Sequence, residues 1–279
     1  MIDPLRILAP VDGSEESESI LPALLPMLRA RPSEVTLLRV VSDVEDANLA
    51  RGALHRLARA LLMDGVRAVS RLEWGRPEEE IEYLARPARH DVLAMTTHGR
   101  SGLRRAFLGS TAETVLRRAK IPILLNRPGS RVGDWRRVVV AVDGTTPPDD
   151  LLRDLEPLVL AMRSTVHVLH VNRPIYLYSD LHRMPVALPE PDPRPYLDTV
   201  CDQLATRGIL AVPATVTDQP AAGITRYLLE HDAGLLAMTT HGRDGVARAV
   251  SGSVTEAVIR QCPVPVLVRR AESSVPATA

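Results

Sequence analysis

An eight-residue run that contains a glycine occurs twice in this chain and predicts a ligand loop in each half. Residues 93–100 read Leu-Ala-Met-Thr-Thr-His-Gly-Arg, and residues 236–243 repeat the same eight letters. In both halves, nine residues separate the glycine of this run from a Gly-Ser pair, at 109–110 and at 252–253. Glycine loops let the backbone approach a ligand closely, and their N–H groups can surround a phosphate. The spacing therefore predicts an anion-binding loop in each half.

An aspartate follows the first strand-like segment in each half. Asp12 comes directly after the aliphatic run 6–11, and Asp143 comes directly after the run 137–142. In open α/β sheets, ligands bind at the carboxyl ends of the strands, where the strand order reverses, and a carboxylate there can bind ribose hydroxyls. A helix that begins at each Gly-Ser pair would direct its positive dipole end towards a phosphate.

Structural roles are also open for these residues. Glu113 and Glu256 each follow the serine of a Gly-Ser pair by three residues, a pattern that fits a capping box within the helix itself. An Asp-Gly pair is also common in simple turns. His98 and His241 have no second ligand at metal spacing, so a zinc site is not predicted.

Strand-like and helix-like segments alternate through both halves, which predicts an α/β fold with a parallel sheet between helical layers. Strands are expected at 6–11, 34–41, 68–74, 92–96, 123–126, 137–142, 165–171, 211–217, 235–239 and 266–269. Helices are expected at 15–30, 45–64, 77–89, 110–119, 148–162, 194–207, 220–231 and 253–261. We predict two tandem domains, 1–130 and 134–271, each with a doubly wound, Rossmann-like, five-stranded parallel sheet, and a tail over 272–279.

Twelve extra residues interrupt the second half. Equivalent positions are 131 residues apart from Asp12 to Asp143 but 143 apart from Gly99 to Gly242, so the insertion lies at about 172–194. It is rich in proline, which predicts an irregular or polyproline-like excursion. Because it leaves the carboxyl end of a strand, both a lid over the second site and a plain surface insertion are open.

Composition excludes several classes of protein. Lys+Arg and Asp+Glu are both 34, and aromatic residues make up 3% of the chain, so neither a basic surface nor stacking platforms for nucleic acid are predicted. The first residues do not resemble an export leader, and no apolar run has the length of a membrane span. We expect a cytoplasmic protein without a membrane partner. Cys201 and Cys262 lie at non-equivalent positions and do not predict a disulfide framework.

Taken together, these motifs resemble the ATP-binding branch of the universal stress protein family, over residues 3–270. Both first strands end in Val-Asp-Gly, both fourth strands run into Thr-His-Gly-Arg, and the Gly-Ser pairs follow at the spacing of that branch. The resemblance implies a stress-response protein that binds ATP or another adenine nucleotide in each half and acts as a sensor or regulatory module. It also implies Mg²⁺ or Mn²⁺ carried by the phosphates.

The resemblance assigns site residues one by one. Asp12 and Asp143 would bind ribose, and the backbone at Val41 and near Val171 would meet adenine. The phosphate loop of the first half would comprise Thr97, His98, Gly99, Arg100, Gly102, Gly109, Ser110 and Thr111. The phosphate loop of the second half would comprise Thr240, His241, Gly242, Arg243, Gly245, Gly252, Ser253 and Val254. The family also implies pairing through the last strand, here as an intramolecular pseudo-dimer of the two halves, and a homodimer of the chain.

The chain also departs from the family pattern. Thr96 and Thr239 replace the first glycine of the motif, and a β-branched residue restricts the backbone there. The second half departs further, since Pro148 stands at the position of Ser17, so the first site is expected to bind better. The alternative is a nucleotide-free dimerisation or interaction scaffold of the same fold. No carboxylate recurs within the two loops, so no catalytic residue is predicted and ATP hydrolysis should be slow or absent.

Overall fold

A computed structural model of the chain describes residues 3–97, 108–144, 147–173, 175–179, 182–188, 191–240 and 253–271. The first half contains β1 (Leu5–Pro10), α1 (Glu15–Glu18), α2 (Ile20–Ala30), β2 (Ser33–Val41), α3 (Val44–Met63), β3 (Arg67–Trp74), α4 (Pro77–Leu84), β4 (Val92–Thr96), α5 (Ser110–Arg118) and β5 (Ile123–Asn126). The second half contains β6 (Arg137–Val142), α6 (Asp149–Met162), β7 (Thr165–Asn172), β8 (Ile175–Ser179), β9 (His182–Leu188), α7 (Arg194–Thr206), β10 (Leu210–Thr217), α8 (Pro220–Glu230), β11 (Leu235–Thr240), α9 (Ser253–Gln261) and β12 (Val266–Arg270).

One ten-stranded sheet runs through both halves, in the order β10-β7-β6-β11-β12-β5-β4-β1-β2-β3. The strands within each half are parallel, and β5 pairs antiparallel with β12 through Leu125 and Val266. In each half the first strand lies between the second and the fourth, so the strand order reverses there. The predicted α/β fold with two doubly wound parallel five-stranded units is confirmed, and the two units join into one sheet.

Buried aliphatic side chains explain why these segments form a covered sheet. In β1, the consecutive residues Ile7, Leu8 and Ala9 are all fully buried, as expected for a parallel strand with helices on both faces. On one face, a single apolar core includes Leu24 of α2 and Leu155 of α6 and so extends across both halves. On this face, the sheet that carries the candidate site therefore has one continuous apolar core across both halves.

Prolines shorten two of the predicted helices. The helix expected over 15–30 is divided after Glu18, because Pro22 has no N–H for the Glu18 carbonyl and its ring collides with that carbonyl. The fourth helix ends at Leu84, well before the predicted end, because the residue before Pro87 disfavours helical angles. Both predicted boundaries were wrong because of a proline, which acts through its own missing N–H and ring in the first case and through the residue before it in the second.

The insertion is not the irregular excursion that its prolines predict. Its backbone forms β8 and β9, which pair antiparallel as a separate two-stranded sheet. The run Ile-Tyr-Leu-Tyr at 175–178 is rich in strand-forming residues, and this preference decides the conformation. Pro185 lies within β9. Both strands of a two-stranded sheet are edge strands, and a proline is tolerated in an edge strand because its missing N–H can face away from the partner strand.

Two partly or fully buried histidines occupy related places in the two halves. His90 is buried, with Nδ1 2.8 Å from the Leu84 carbonyl and Nε2 3.1 Å from the Thr36 hydroxyl. His167 is half-buried, with Nδ1 2.8 Å from the Tyr227 hydroxyl. Burial is the main cause that lowers the pKa of both histidines below 6.5.

Neighbouring charges affect both rings. The positive charges of Arg6 and Arg71 also lower the pKa of His90, while its hydrogen bond to Leu84 and the charge of Asp91 oppose the effect. For His167, the nearby His231 and Arg137 lower the pKa in the same direction as burial. Both sites therefore favour the neutral imidazole.

Stability is expected to fall as the pH drops from about 7 to about 5. Unfolded histidines take up protons near their ordinary pKa of about 6.5, whereas the folded His90 and His167 do so only at lower pH. The unfolded state then binds more protons, so the free energy of unfolding decreases across this window. Urea unfolding at pH 7.5 and at pH 5.5 measures the difference in the free energy of unfolding between the two conditions. His90→Gln and His167→Gln should each make this difference smaller. The exposed His55→Gln serves as a control, and an equal pH slope in all variants contradicts the assignment.

Candidate functional site

A cavity of about 320 Å³ lies at the carboxyl ends of β1 and β4 in the first half. The strand order reverses between these two strands, which is where open α/β sheets bind their ligands. Its volume falls in the range of small-molecule sites. The predicted residues Asp12, Thr97, Gly109, Ser110 and Thr111 all line this one cavity.

Asp12 is held in a defined position by the turn after β1. One of its carboxylate oxygens accepts hydrogen bonds from the Ser14 backbone N–H at 3.0 Å and from the Ser14 hydroxyl at 2.6 Å. The Asp12 backbone N–H donates to the Ser17 hydroxyl at 3.1 Å, and Ser17 is buried and also lines the cavity. Gly13 adopts a φ of 79°, which a glycine reaches without strain. The carboxylate is thus oriented before any ligand arrives.

The start of α5 forms a second polar wall of the cavity. The first hydrogen bond of this helix runs from the Glu113 N–H to the Gly109 carbonyl at 2.9 Å. The backbone N–H groups of Ser110, Thr111 and Ala112 precede that ladder, and all three residues line the cavity. Such amides, together with the positive end of the helix dipole, form a ready site for an anion.

The capping-box alternative is wrong for the first half. Gly109, rather than Ser110, is the N-cap of α5, and no side chain in the described part of the chain caps that helix. The Gly109 N–H donates to the Thr97 carbonyl at 2.8 Å, so this amide is already engaged by the protein. The amides available to an anion are therefore the next ones along the helix, which the motif spacing alone did not identify.

The remaining wall is apolar and was missed by motif reasoning. Val40 and Leu38 of β2 line the cavity on one side, opposite helix residues such as Ile81. The side chain of Val41 instead packs on the opposite face against Ala47. The period of two in a strand could have identified Val40, because it shares a face with Leu38.

The backbone of Val41 was the predicted adenine contact, and part of it is occupied. The Val41 carbonyl accepts a hydrogen bond from the Gly75 N–H at 3.2 Å. A carbonyl oxygen has a second lone pair, so this bond leaves room for one more donor. The side chain of Val40, which lines the cavity together with Ile81, offers apolar contact on the cavity side.

The second half has a different turn after its first strand. Gly144 has a φ of 79°, like Gly13, but a β-carbon there would lie 3.0 Å from Cε1 of His170. His170 stands at the repeat position of Arg39, and its Nδ1 is 3.2 Å from the Val142 carbonyl. The imidazole therefore packs closely on the turn that carries Asp143.

Tyr196 further distinguishes the second half, since it stands at the repeat position of Ala53. Its side chain is half-buried, and burial, with the negative charges of Asp143 and Asp149, raises the pKa of Tyr196 to about 12. The predicted Asp143 therefore faces a neutral phenol on this side.

The predicted adenine contact at Val171 is also remodelled. A β-carbon on Gly223 of α8 would lie 3.0 Å from Cγ1 of Val171, so this helix packs directly on the end of β7. Asp218, at the repeat position of Gly75, forms an ion pair with Arg226 at 2.8 Å. At the corresponding place in the first half, α4 carries Glu80 instead of a glycine.

A family model for universal stress proteins matches residues 5–127 and again residues 134–270. The chain belongs to the universal stress protein family. The two matches cover both halves and leave out the polar segment between them.

Individual universal stress proteins resemble one half or the whole chain. A universal stress protein of Methanocaldococcus jannaschii is 29% identical over 136 residues, which cover 43% of this chain and 80% of that protein. A putative universal stress protein of Staphylococcus epidermidis is 28% identical over 153 residues, which cover 49% of this chain and 92% of that protein. The crystal structure of a universal stress protein from Archaeoglobus fulgidus superposes with a TM-score of 0.76 and 23% identity, and covers 96% of this chain and 97% of that one. That likeness shows the same two-unit fold.

Part of the universal stress protein motif lies outside the described residues. The predicted residues there are His98, Gly99, Arg100, Gly102, His241, Gly242, Arg243, Gly245 and Gly252. Of the remaining second-half residues, Thr240 is the last residue of β11 and is buried, Ser253 begins α9, and Val254 is half-buried in its first turn. Within the described ranges, no helix combines the length and hydropathy needed to cross a membrane.

Proposed function

We propose that this universal stress protein binds an adenine nucleotide, foremost ATP, in the cavity of its first half and acts in the cytoplasm as a sensor or regulatory module. The observation that carries the proposal is the meeting of two groups in one cavity. The Asp12 carboxylate is oriented by Ser14, and the amides of Ser110, Thr111 and Ala112 open the helix α5. A nucleoside phosphate offers its ribose hydroxyls to the Asp12 carboxylate and its phosphate to the amides at the start of α5.

The apolar wall supports a nucleoside over a simple sugar phosphate. Leu38, Val40, Ile81 and Met95 offer side chains against which a planar base can pack. A divalent cation such as Mg²⁺ or Mn²⁺ would be carried by the phosphates, with the hydroxyls of Ser110 and Thr111 as neighbouring oxygen donors. The cation would neutralise phosphate charge beside the helix start.

We propose that the first half binds more tightly than the second. Ser17 supports the turn of Asp12 with two hydrogen bonds, whereas its counterpart Pro148 has no side-chain donor or N–H. Tyr196 and His170 surround the turn of Asp143, and α8 packs closely on Val171. Each difference changes the surroundings of a predicted contact in the second half only.

We also propose that the two halves act as an intramolecular pseudo-dimer. Arg127 and Arg270 are repeat counterparts, and each reaches the end of the other half's last helix. Arg270 donates to the Arg117 carbonyl at 2.8 Å, and Arg127 donates to the Cys262 carbonyl at 3.4 Å. Together with the pairing of β5 and β12, these bonds tie the helices α5 and α9 to the opposite halves.

The second candidate is a nucleotide-free interaction scaffold. Two observations support this candidate. The Gly109 N–H donates to the Thr97 carbonyl, so this amide of the family motif is not available to a ligand. A threonine also replaces the first glycine of the motif at position 96. The two candidates differ in one measurable property. Protein purified without added nucleotide should release an adenine nucleotide on acid treatment, identified by mass, if the first candidate holds. Protein that carries none and binds none at millimolar concentration supports the scaffold.

ATP turnover is expected to be slower than about one per second, because no carboxylate recurs in the sequences of the two glycine loops. A steady-state assay with purified protein and Mg²⁺ measures the rate. The control is Asp12→Ala protein from the same preparation, which exposes contaminating activity. A faster, Asp12-dependent rate contradicts the binding-module assignment and indicates an enzyme.

A further inference from the structure

Strand β3 ends the ten-stranded sheet and leaves one backbone edge open. It pairs with β2 along its whole length, from Arg67 opposite Glu34 to Trp74 opposite Val41. Among the residues that the structure describes, no strand lies on its other side. An edge of eight residues presents a row of N–H and C=O groups that can pair with another chain.

The other end of the same sheet is protected by a proline. Strand β10 is the second edge, and Pro213 lies in its middle. A proline removes an N–H from the edge and prevents a further strand from pairing there. The repeat counterpart of Pro213 is Ser70 in β3. The duplicated fold therefore contains one blocked edge and one open edge at equivalent places.

Exposed apolar side chains accompany the open edge. Val69 is 48% exposed and Trp74 is 50% exposed, on opposite faces of β3. The counterpart of Trp74 in the blocked edge is Thr217. A half-exposed tryptophan at the end of an open strand is a group that a neighbouring strand and its helices would cover.

We propose that a second copy of this chain pairs antiparallel with β3 about a twofold axis through Ser70, to form a homodimer with a continuous sheet. The molecule already contains one joint of this kind, where the edge strands of its two halves pair antiparallel. The proposal concerns assembly and does not depend on nucleotide binding. The interface is narrow, so we expect a concentration-dependent dimer of modest affinity.

Charge complementarity selects this register. A twofold axis normal to the sheet keeps each side chain on its own face, so the axis must pass through a residue. An axis through Ser70 places Arg67 opposite the partner's Glu73 on the face that also carries Val69. Arg67 is exposed, and no carboxylate in the described part of the chain pairs with it. Glu73 bonds Arg71 at 2.5 Å within the strand and can accept a second donor.

The neighbouring registers are repulsive. An axis through Val69 places Arg67 opposite the partner's Arg71, and an axis through Arg71 places that residue opposite its own copy. Like charges directly opposite each other destabilise a strand pair. The register through Ser70 avoids both contacts and pairs residues 67–73 of the two copies with each other.

Sedimentation equilibrium of the full chain over a concentration series tests the proposal. The parent should show a monomer–dimer equilibrium, and Arg67→Glu and Glu73→Arg should each shift it at least tenfold towards monomer. The double variant should restore the dimer, because the opposite charges are exchanged. Ser70→Pro, which copies the blocked edge, should also give monomer. Leu210→Glu is the matched control, since it changes the repeat counterpart of Arg67 on the blocked edge.

Three outcomes would overturn the proposal. The parent is monomeric throughout the series, or its dimer persists unchanged in Arg67→Glu and Ser70→Pro, or the double charge exchange fails to restore it. Circular dichroism identifies any variant that does not fold. Because Arg67→Glu replaces an exposed side chain, it tests the interface even if Ser70→Pro does not fold.

Discussion

Ser110→Pro is expected to weaken nucleotide binding about tenfold or more, since hydrogen bonds to a charged group are worth about 1.5–3 kcal/mol each. The change removes the Ser110 N–H and hydroxyl from the cavity. It suits the local backbone, because Gly109 has a φ of −56° and a ψ of 144°, which is compatible with a following proline. Proline is also favoured at the first position of a helix. The melting temperature should therefore stay unchanged or rise slightly while affinity falls.

Ser110→Ala separates the two groups that the proline removes. It deletes the hydroxyl and keeps the N–H, so we expect a smaller loss of affinity than for proline. Titration calorimetry and thermal unfolding of both variants measure the two effects independently. If proline and alanine variants bind like the parent, the start of α5 does not hold the phosphates.

Asp12→Ala is expected to weaken binding by about 1–3 kcal/mol, or roughly 5- to 150-fold, because the ribose loses its hydrogen-bond acceptor. The same change also releases the Ser14 N–H and hydroxyl from the Asp12 carboxylate. Ser14→Ala is therefore the matched control, since it disturbs the turn and the cap of α1 but keeps the carboxylate. Calorimetric titration with ATP and with 2′-deoxy-ATP measures the contribution of the ribose contact.

Asp143→Ala provides the comparison between halves. Because the second half differs around its turn, this variant should cost less affinity at the tighter site than Asp12→Ala. Equal losses would indicate two equivalent sites. An effect confined to Asp143→Ala would place the tighter site in the second half, against our assignment.

The sequence was most informative where one physical constraint dominates. The buried centre of a parallel strand must be apolar, as residues 7–9 of β1 are, so the strand positions were visible as aliphatic runs. Asp12 and Gly109 were identified because a motif repeated at fixed spacing marks them in both halves. The structure then brings both residues to one cavity, as the expected reversal of strand order requires.

Other features depended on competing local preferences. Pro22 divides a helix whose apolar spacing continues across the division, and the strand-forming run at 175–178 overrides the nearby prolines. Periodicity predicted one helix where the structure has two, and proline content predicted an irregular segment where the structure has two paired strands. Only the complete set of backbone contacts decides such cases.

The alternation of faces along β2 could have predicted the apolar wall of the cavity, whereas the glycine motif could not. Val40 and Val41 are adjacent and chemically identical, yet only Val40 lines the cavity. Similarly, the serine of the motif suggested a helix cap, while the structure assigns that position to Gly109. A shift of one residue along the chain moves a side chain to the other face of a strand or to another position at a helix start. Sequence spacing alone does not determine which of the two positions a residue occupies.

Calorimetric titration of nucleotide-free protein with ATP and Mg²⁺ tests the central claim most directly. We predict saturable binding with a dissociation constant below millimolar, at least one nucleotide per chain, and a marked loss in Ser110→Pro. Absence of any binding heat at millimolar nucleotide, at two temperatures so that a zero enthalpy is not mistaken for no binding, would contradict the account and leave the fold as a scaffold.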